Sequence, residues 1–338
     1  RRFLSAASAA ALWARQPDPL PPYTIQQVAP GVWFALASPC AVFNCNAAIF
    51  EQAKGLVVVD SNSMPSLAEA LLAHLGRELP AKPVHTLVYS HYHFDHVQGT
   101  AAFRNRWPGL RIVSTEATKS LLLERGEQWI QSTVTNAEKI AASTSDPTAR
   151  QQALTYASEM KGARPVPPDT TFTSEFSLPD SIQPLELRFA GRGHTAGDLL
   201  VLSPARKIVA AGDFAHESGL PFLLDSYPRE WIAALRKSAR LEFVRALGGH
   251  GPTFDKRAFT GRADYLEELL QHIQHAKSAG KTLDALVAEL TPDKMKSLAS
   301  DYGLRLAANI KLANPATQAA PLVALATALR SNIAQAWQ

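Results

Sequence analysis

The chain has 338 residues, of which 46% are hydrophobic and 19% are charged, and this composition excludes a disordered, collagenous or coiled-coil protein. One large domain or two modest ones fit the length. The formal net charge is +4, and Arg1 and Arg2 supply two of those charges, so the excess gives no electrostatic reason to expect a nucleic acid as a partner.

Cysteine content and hydropathy exclude two further classes of protein. The two cysteines, Cys40 and Cys45, are too few for a disulfide scaffold and too far from any pair of histidines for a zinc ribbon. No apolar run reaches about 18 residues, so we expect no integral membrane segment. The sequence leaves the oligomeric state open.

The first 22 residues have an export-like pattern followed by a linker. Arg1 and Arg2 precede an alanine-rich stretch that ends at Ala14, which resembles a twin-arginine export signal. This resemblance predicts a periplasmic or secreted protein, and a weakly helical N-terminus is the alternative. Four prolines between Gln16 and Pro22 predict an extended linker, because proline disrupts both helices and sheet hydrogen bonding.

From Tyr23 the chain turns to short apolar runs separated by turn residues. These runs predict strands at 31–36, 47–50, 55–60 and 84–89, and a further strand is predicted at 111–114. The run at 55–59 does not alternate with polar residues, which is typical of a strand buried on both faces. A helix is predicted over 66–79, and the order strand, helix, strand indicates an α/β layer.

The middle of the chain, from about 116 to 162, has the polar, helical period of an inserted arm. A second group of strands is predicted after it, at 185–190, 199–202 and 207–211. Beyond Pro252 nearly all of the sequence has a helical pattern. We therefore predict a main domain over 23–252 that carries the arm, and a helical C-terminal extension over 253–338.

A cluster of metal-binding side chains follows the predicted strand 84–89. The segment reads His91-Tyr92-His93-Phe94-Asp95-His96. His91 and His93 are two residues apart in extended chain, so their side chains point to the same side. Asp95 and His96 follow where the chain turns into a helix predicted to end at Arg106. The cluster predicts a metal site, with a solvated histidine loop as the alternative.

Three more candidate ligands stand at later strand ends, and each is next to a glycine. They are His194 after Gly193, Asp213 after Gly212, and His250 after Gly249. Glycine allows the backbone to pass close to a ligand cluster. Any one of these residues alone is typical of a hydrogen-bonded turn. As an ordered set after the histidine segment, they indicate a shared metal centre.

With these residues the chain resembles the metallo-β-lactamase fold superfamily, whose hallmark is a His-x-His-x-Asp-His loop followed by a histidine, an aspartate or cysteine, and a last histidine. The resemblance covers about Tyr23 to Pro252, which would be the catalytic domain. It implies an α/β fold, an αββα sandwich of two mixed sheets with outer helices. It also implies the ligand sets: His91, His93 and His194 for a first metal, Asp95, His96 and His250 for a second, and Asp213 as a bridge.

The donor types agree with a metal-dependent hydrolase. Imidazole and carboxylate donors without a thiolate suit zinc, and they also suit iron or manganese, so the donor types alone do not identify the metal. We take zinc as the expected metal, with two ions per chain. Asp95 and Asp213 cancel only part of the charge of two divalent ions, which favours a hydroxide that attacks a carbonyl carbon. Asp95 is the catalytic candidate, because it could orient this hydroxide or take its proton. The expected substrate is a small molecule: a lactam, lactone, ester or thioester.

The resemblance leaves two other classes open. One is a mononuclear iron oxidoreductase of the persulfide dioxygenase type, which would use His91, His93, His194 and Asp213. The other is a non-catalytic, metal-binding member of the same fold, although the complete set of ligands argues against it. Within the superfamily, an aspartate at position 213 favours the broader hydrolases over the true β-lactamases.

Weaker candidates surround the motif. Asp60 ends a buried strand and is predicted to bond a ligand histidine or nearby backbone, or else to form a turn. Thr195 and Asp198 could fix the loop of His194. His216 is either a substrate contact or a hydrogen-bonded surface histidine.

Two segments have both a packing and a substrate-contact interpretation. The segment from Ser226 to Trp231 either lines a cleft or begins a helix, with Ser226 as its cap and Trp231 in the core, and we favour the helix. In the arm, the apolar residues either pack on the sandwich or face the cleft as a lid. These residues are Leu121, Leu122, Trp129 and Ile130.

Overall fold

The structure is a computed structural model, and it describes residues 22–38, 44–79, 82–217, 219–289 and 330–337. The predicted export signal, the linker before Pro22, Cys40 and most of the predicted helical tail lie outside these residues. Within the described part, two β-sheets pack face to face with helices on both outer sides, which confirms the predicted αββα sandwich. No described helix is both long enough and apolar enough to cross a membrane.

The first sheet has seven strands that follow one another in chain order. They are β1 (Tyr23–Ala29), β2 (Val32–Ala37), β3 (Ala47–Gln52), β4 (Gly55–Val59), β5 (Val84–Val88), β6 (Arg111–Thr115) and β7 (Thr170–Phe172). The pairs from β1 to β4 are antiparallel and those from β4 to β7 are parallel, so the sheet is mixed. Every residue of β4 is buried, as its unbroken apolar run predicted.

The second sheet has five strands and is also mixed. They are β8 (Glu175–Leu178), β9 (Leu185–Phe189), β10 (Leu199–Ser203), β11 (Ile208–Gly212) and β12 (Arg245–Gly248). The spatial order is β12-β11-β10-β9-β8, with β11 and β12 parallel and the other pairs antiparallel. Aliphatic residues of both sheets, such as Val57, Val88, Val201 and Leu247, form the core between them. Burial of this apolar surface holds the sheets face to face.

Helices cover the outer face of each sheet. The helices are α1 (Pro65–Glu78), α2 (Phe94–Val97), α3 (Thr100–Arg106), α4 (Glu116–Ser143), α5 (Pro147–Met160), α6 (Pro228–Ser238), α7 (Lys256–Ser278) and α8 (Leu283–Glu289). On the first sheet, α1 and α3 pack through Leu71 and Phe103. On the second, α6 and α7 pack through Trp231 and Leu266.

The segment predicted as an inserted arm contains α4 and α5. The chain leaves the first sheet after β6 and returns to it at β7, so the two helices form an excursion from that sheet. Thr115 and Asp146 cap their N-termini by accepting hydrogen bonds from backbone N–H groups of the first turn. The helices pack on each other through buried residues that include Ala137 and Tyr156.

Four strands have no counterpart among the predicted elements: β1, β7, β8 and β12. β7 and β8 have only three and four residues, too few to show an apolar period. β1 exposes several positions, and β12 begins with the exposed Arg245. Pairing with neighbouring strands, which is not visible in a local pattern, makes these segments strands.

Strand ends from both sheets meet at one edge of the sandwich. Asp60 follows β4, the histidine segment follows β5, Asp213 follows β11, and His250 follows β12. Because β4 with β5 and β11 with β12 are parallel pairs, their carboxyl ends lie side by side. Gly212 has a φ of +49° and touches Ser90, with which a Cβ would collide, so glycine is required where the two sheets approach.

Candidate metal centre

All seven predicted ligands are buried at this edge. The histidine segment leaves β5 in extended conformation, and α2 begins at Phe94. The exposed fraction of the ligand residues ranges from 0% for His96 to 8% for Asp213. Burial of so many ionisable groups is unfavourable unless they pair with one another or bind a metal.

Three histidines form the first group. His91, His93 and His194 each offer a ring nitrogen, and these atoms all lie within 4.8 Å of one another. Nδ1 of His93 is 2.9 Å from Nε2 of His194. The structure therefore brings together the three residues that the resemblance assigned to the first metal.

Asp95, His96 and His250 form the second group, again with ligand atoms within 4.8 Å of one another. Oδ2 of Asp95 lies 3.3 Å from Nε2 of His96 and 3.2 Å from Nε2 of His250. Asp95 and His96 reach this position because they lie on α2, directly after the extended segment. The set is the one that the resemblance assigned to the second metal.

Asp213 lies between the two groups. Its Oδ2 is 3.6 Å from Nε2 of His194 and 3.3 Å from Nε2 of His250, and its Oδ1 is 3.5 Å from Nε2 of His96. A Cβ on Gly249 would collide with Asp213 and His96, so only glycine lets the backbone pass here. A carboxylate that reaches both groups has the position of a bridging ligand.

Groups around the cluster hold the ligand histidines in orientation. Nδ1 of His96 lies 2.8 Å from Oδ2 of Asp60, and Nδ1 of His91 lies 3.0 Å from Oγ of Ser90. Ser90 donates both its backbone N–H and its hydroxyl to Asp60, each over 2.8 Å. The prediction that Asp60 bonds a ligand histidine and nearby backbone is confirmed. With Nδ1 held in this way, Nε2 of each ring is left for the centre.

The first group has an anchor that sequence reasoning missed. Nε2 of His93 lies 3.1 Å from Oδ2 of Asp225, and this oxygen also accepts a hydrogen bond from Tyr92 Oη over 2.6 Å. The other carboxylate oxygen, Oδ1, accepts from Arg125 Nη1 over 2.9 Å. Asp225 is 132 residues from His93, so no local motif connects them. Its one sequence signal is an acidic residue that ends the apolar run 220–224.

Buried atoms of the ligand set lack a well-aligned hydrogen bond among the described residues. They include Nε2 of His91, and also Oδ2 of Asp95, Nε2 of His96 and Oδ1 of Asp213, which approach one another only as ion pairs at 3.3 and 3.5 Å. Orphaned polar atoms are rare in protein interiors and call for an explanation. Imidazole nitrogen and carboxylate oxygen are donors that divalent metals accept, so these residues fit a metal centre.

Two histidines of the first group are poised as neutral donors. Burial lowers the pKa of His91 well below its ordinary value, and the nearby His96 and His93 act in the same direction. Burial likewise lowers the pKa of His194 to about 3. Both rings are therefore neutral at pH 7 in the metal-free protein, which is the form that binds a metal.

Histidines of the second group have the opposite shift. Burial acts to lower the pKa of His96 and of His250, but the adjoining Asp95 and Asp213 outweigh it. The pKa of His96 is raised well above its ordinary value, and that of His250 is raised to about 9. In the metal-free protein these two rings are protonated at neutral pH and paired with the carboxylates.

Cys45 lies in another close group with Asp60 and His96. Burial raises the pKa of its thiol to about 11, so the thiol is neutral at pH 7. Asn62 donates to the Cys45 carbonyl oxygen over 3.0 Å, and Asp60 already bonds Nδ1 of His96. We assign this group to the support of the histidine segment.

The loop of His194 is fixed as predicted. The hydroxyl of Thr195 donates to Oδ1 of Asp198 over 2.5 Å, and the Thr195 backbone N–H donates to the same carboxylate over 3.1 Å. Burial raises the pKa of Asp198 to about 7 despite these hydrogen bonds. The carboxyl group thus holds the turn that carries His194 into the centre.

The predictions for His216, Trp231 and Ser226 have different outcomes. The surface interpretation of His216 is wrong, because the residue is 6% exposed and its ring centroid lies 5.6 Å from that of His250. Trp231 is fully buried in the core, as the helix interpretation required. The predicted cap is wrong: α6 begins after Tyr227, and the Ser226 hydroxyl donates to the Leu223 carbonyl oxygen instead.

The arm both packs on the sandwich and reaches the centre. Leu122 and Ile130 are buried, whereas Trp129 is half-buried. The Trp129 ring centroid lies 5.6 Å from that of His93 and 6.0 Å from that of Phe94, on which it stacks. One residue of the arm therefore contacts a predicted metal ligand.

Comparison with known proteins agrees with this geometry. The family model of the metallo-beta-lactamase superfamily matches residues 40–250. No curated protein matches the chain. A metallo-beta-lactamase from Pontibacter korlensis superposes with a TM-score of 0.56 at 20% identity, over 72% of this chain and 99% of that chain. The metallo-beta-lactamase FIM-1 from Pseudomonas aeruginosa, in its mono-zinc form, gives 0.52 at 18% identity, over 72% and 95%. At these identities, the two structures indicate a shared fold.

Proposed function

The chain belongs to the metallo-beta-lactamase superfamily, and on that premise we propose that it is a metal-dependent hydrolase of small carbonyl compounds, namely lactams, lactones, esters or thioesters. The observation that carries the proposal is the group of buried donor atoms, among them atoms of His91, Asp95, His96 and Asp213, that lack a well-aligned hydrogen bond among the described residues. Binding of metal would satisfy these atoms and offset the unfavourable burial of their residues.

We further propose that the centre takes two zinc ions. His91, His93 and His194 would hold the first, Asp95, His96 and His250 would hold the second, and Asp213 would lie between them. Two separate groups of three donors, each within 4.8 Å, support two ions. Iron and manganese remain alternatives because they accept the same donors.

Bound divalent ions would supply a water of lowered pKa and would polarise the substrate carbonyl. Asp95 is the proposed catalytic residue. Its pKa is held below its usual range by His96 and His250, although burial opposes this, so the carboxylate is ionised at neutral pH. An ionised carboxylate accepts hydrogen bonds and can orient the attacking water or take its proton.

Other residues position the ligands. Asp60 and Asp225 bond the outward nitrogens of His96 and His93, which fixes each ring in one orientation. Asp198 holds the turn that carries His194. Because protein groups fix these side chains, the centre would lose little conformational freedom on binding metal.

The test combines metal analysis with a hydrolysis panel. We expect about two zinc ions per chain and turnover of at least one substrate among a lactam, a lactone, an ester and a thioester. Asp95→Asn should lower turnover at least about 100-fold, and Asp264→Asn, at an exposed position on α7, should not. A single iron per chain with no hydrolysis would instead favour the persulfide dioxygenase class. Full zinc content with no turnover of the panel would favour a non-catalytic member of the fold.

A further inference from the structure

A cavity of about 200 Å³ lies between the arm and the histidine segment. α4 and α5 form one side, and α2 with the start of α3 forms the other. We call this space the arm cavity. Its apolar wall includes Phe94, Val97, Leu122, Trp129, Ile130 and Met160. The cavity therefore exists because the arm folds back onto the helices that follow the histidine segment.

The arm cavity offers few polar groups to an occupant. Polar side chains on its wall bond elsewhere: Gln98 accepts from Tyr156 Oη over 2.6 Å, Glu159 accepts from Ser66 N over 2.9 Å, and Arg164 pairs with Glu127. The Tyr92 hydroxyl on its wall donates to Asp225. An occupant would gain from removal of its apolar surface from water and would find few additional hydrogen bonds.

The cavity shares a wall with the metal centre. Tyr92 and Phe94 line it, and between them along the chain lies His93. The Tyr92 ring centroid is 4.8 Å from that of His93, and the Trp129 centroid is 5.6 Å from it. Phe94 and Trp129, which stack on each other, therefore line the cavity directly beside His93.

We propose that the arm cavity receives the apolar acyl or aryl group of the substrate, while the carbonyl that is cleaved lies beside His93. This inference rests on the proposed hydrolase function and adds a substrate class to it. A cavity of about 150 Å³ can hold benzene. A cavity of about 200 Å³ thus accommodates a phenyl ring or an alkyl chain of similar volume, and is too small to enclose a long fatty acyl chain.

The test uses straight-chain p-nitrophenyl esters from acetyl to decanoyl with the zinc-loaded protein. We expect kcat/KM to rise about fourfold for each buried methylene until the cavity is full, and then to stop rising. Ala101→Phe, at an exposed position on the cavity wall, should abolish this rise and lower kcat/KM for hexanoyl esters at least tenfold relative to acetyl esters. Ile130→Ala should move the optimum to longer chains. Ala142→Phe, exposed on α4 away from the cavity, is the matched control.

Hydrolysis with no dependence on chain length, or equal effects of Ala101→Phe and Ala142→Phe, would overturn the inference and leave the hydrolase function intact. No turnover of any ester by metal-replete protein would count against the hydrolase function. A direct binding measurement would then test whether the arm cavity takes an apolar ligand. Benzyl alcohol, titrated calorimetrically, should bind the wild-type protein and the Ala142→Phe variant but not Ala101→Phe. Absence of binding to the wild-type protein would overturn the inference.

Discussion

Oδ2 of Asp225 lies 3.1 Å from Nε2 of His93, and this contact ties a loop of the second sheet to a predicted metal ligand. It leaves Nδ1 of His93 directed at Nε2 of His194, 2.9 Å away. The same carboxylate accepts a hydrogen bond from Arg125 on α4, so the arm is connected to the centre through one residue. A carboxylate that bonds a ligand histidine orients the ring and raises its basicity.

Asp225→Ala should therefore lower the affinity of the first metal about 10- to 100-fold, as measured by competition with a chromogenic chelator. Arg125→Ala should have a smaller effect, because the Arg125 side chain is 41% exposed and water screens its charge. Arg164→Ala, which removes an exposed ion pair with Glu127, is the control and should leave the metal affinity unchanged. Unchanged affinity in Asp225→Ala would show that the contact does not support the metal.

Substitutions in the second group should separate the two metals. His96→Ala and His250→Ala each remove a ligand of the second group, so the second ion should be lost before the first. Elemental analysis at increasing zinc should find about one ion per chain where we expect the wild-type protein to hold two. His275→Ala, exposed on α7, is the matched control. Equal loss of both metals at every ratio would contradict the assignment.

Metal binding should depend on pH differently at the two groups. In the metal-free protein His96 and His250 are protonated at neutral pH, and the pKa of His250 is about 9, whereas His91 and His194 are neutral. A metal binds neutral imidazole, so binding at the second group must release protons. Its affinity should rise about tenfold per pH unit for each proton released, up to about pH 9 for His250.

Calorimetry at pH 6.5 and 8.5, in buffers of different ionisation enthalpy, counts the protons released. His96→Ala removes one of the two titrating rings and should reduce the release at the second group. The pH range over which affinity changes follows from raised pKa values, which keep the protons bound until the pH exceeds them. Equal proton release at the two groups would contradict this division of the histidines.

If the arm acts as a lid, Trp129→Ala should raise KM about threefold to tenfold or change substrate preference, because the half-buried indole contacts His93. Metal content and thermal stability should remain nearly intact. Leu154→Ala, at an exposed position on α5, is the control on the same arm. Loss of stability with unchanged kinetics would show that Trp129 is a core residue and that the role of the arm is structural.

We propose export through the twin-arginine pathway on the sequence pattern at the N-terminus. Replacement of Arg1 and Arg2 by lysine should trap the precursor in the cytoplasm, as cell fractionation would show. Arg15→Lys, outside the arginine pair, should be exported normally. Unchanged accumulation of the lysine variant in the periplasm would rule out this signal.

Local pattern was sufficient to predict much of the fold and the candidate site. The apolar run at 55–59 predicted a strand buried on both faces, and β4 is buried at every position. The spacing of His91, His93, Asp95 and His96 predicted a cluster, because residue types and spacing alone determine which side chains can share one loop. Glycines beside His194, Asp213 and His250 indicated the remaining members of the site, because glycine lets the backbone pass close to a ligand cluster.

Folding of the whole chain selects the distant residues that complete the centre. Asp225 reaches His93 across 132 residues of sequence, and the arm cavity forms where α4 and α5 fold back beside α2. Short strands such as β7 depend on their neighbours in the sheet, and the burial of His216 depends on packing around His250. The donor atoms and their order along the chain follow from residue types alone, since these are local chemical properties. Packing of the two sheets determined which of these donor atoms lie close together, since contact between distant segments arises only on folding.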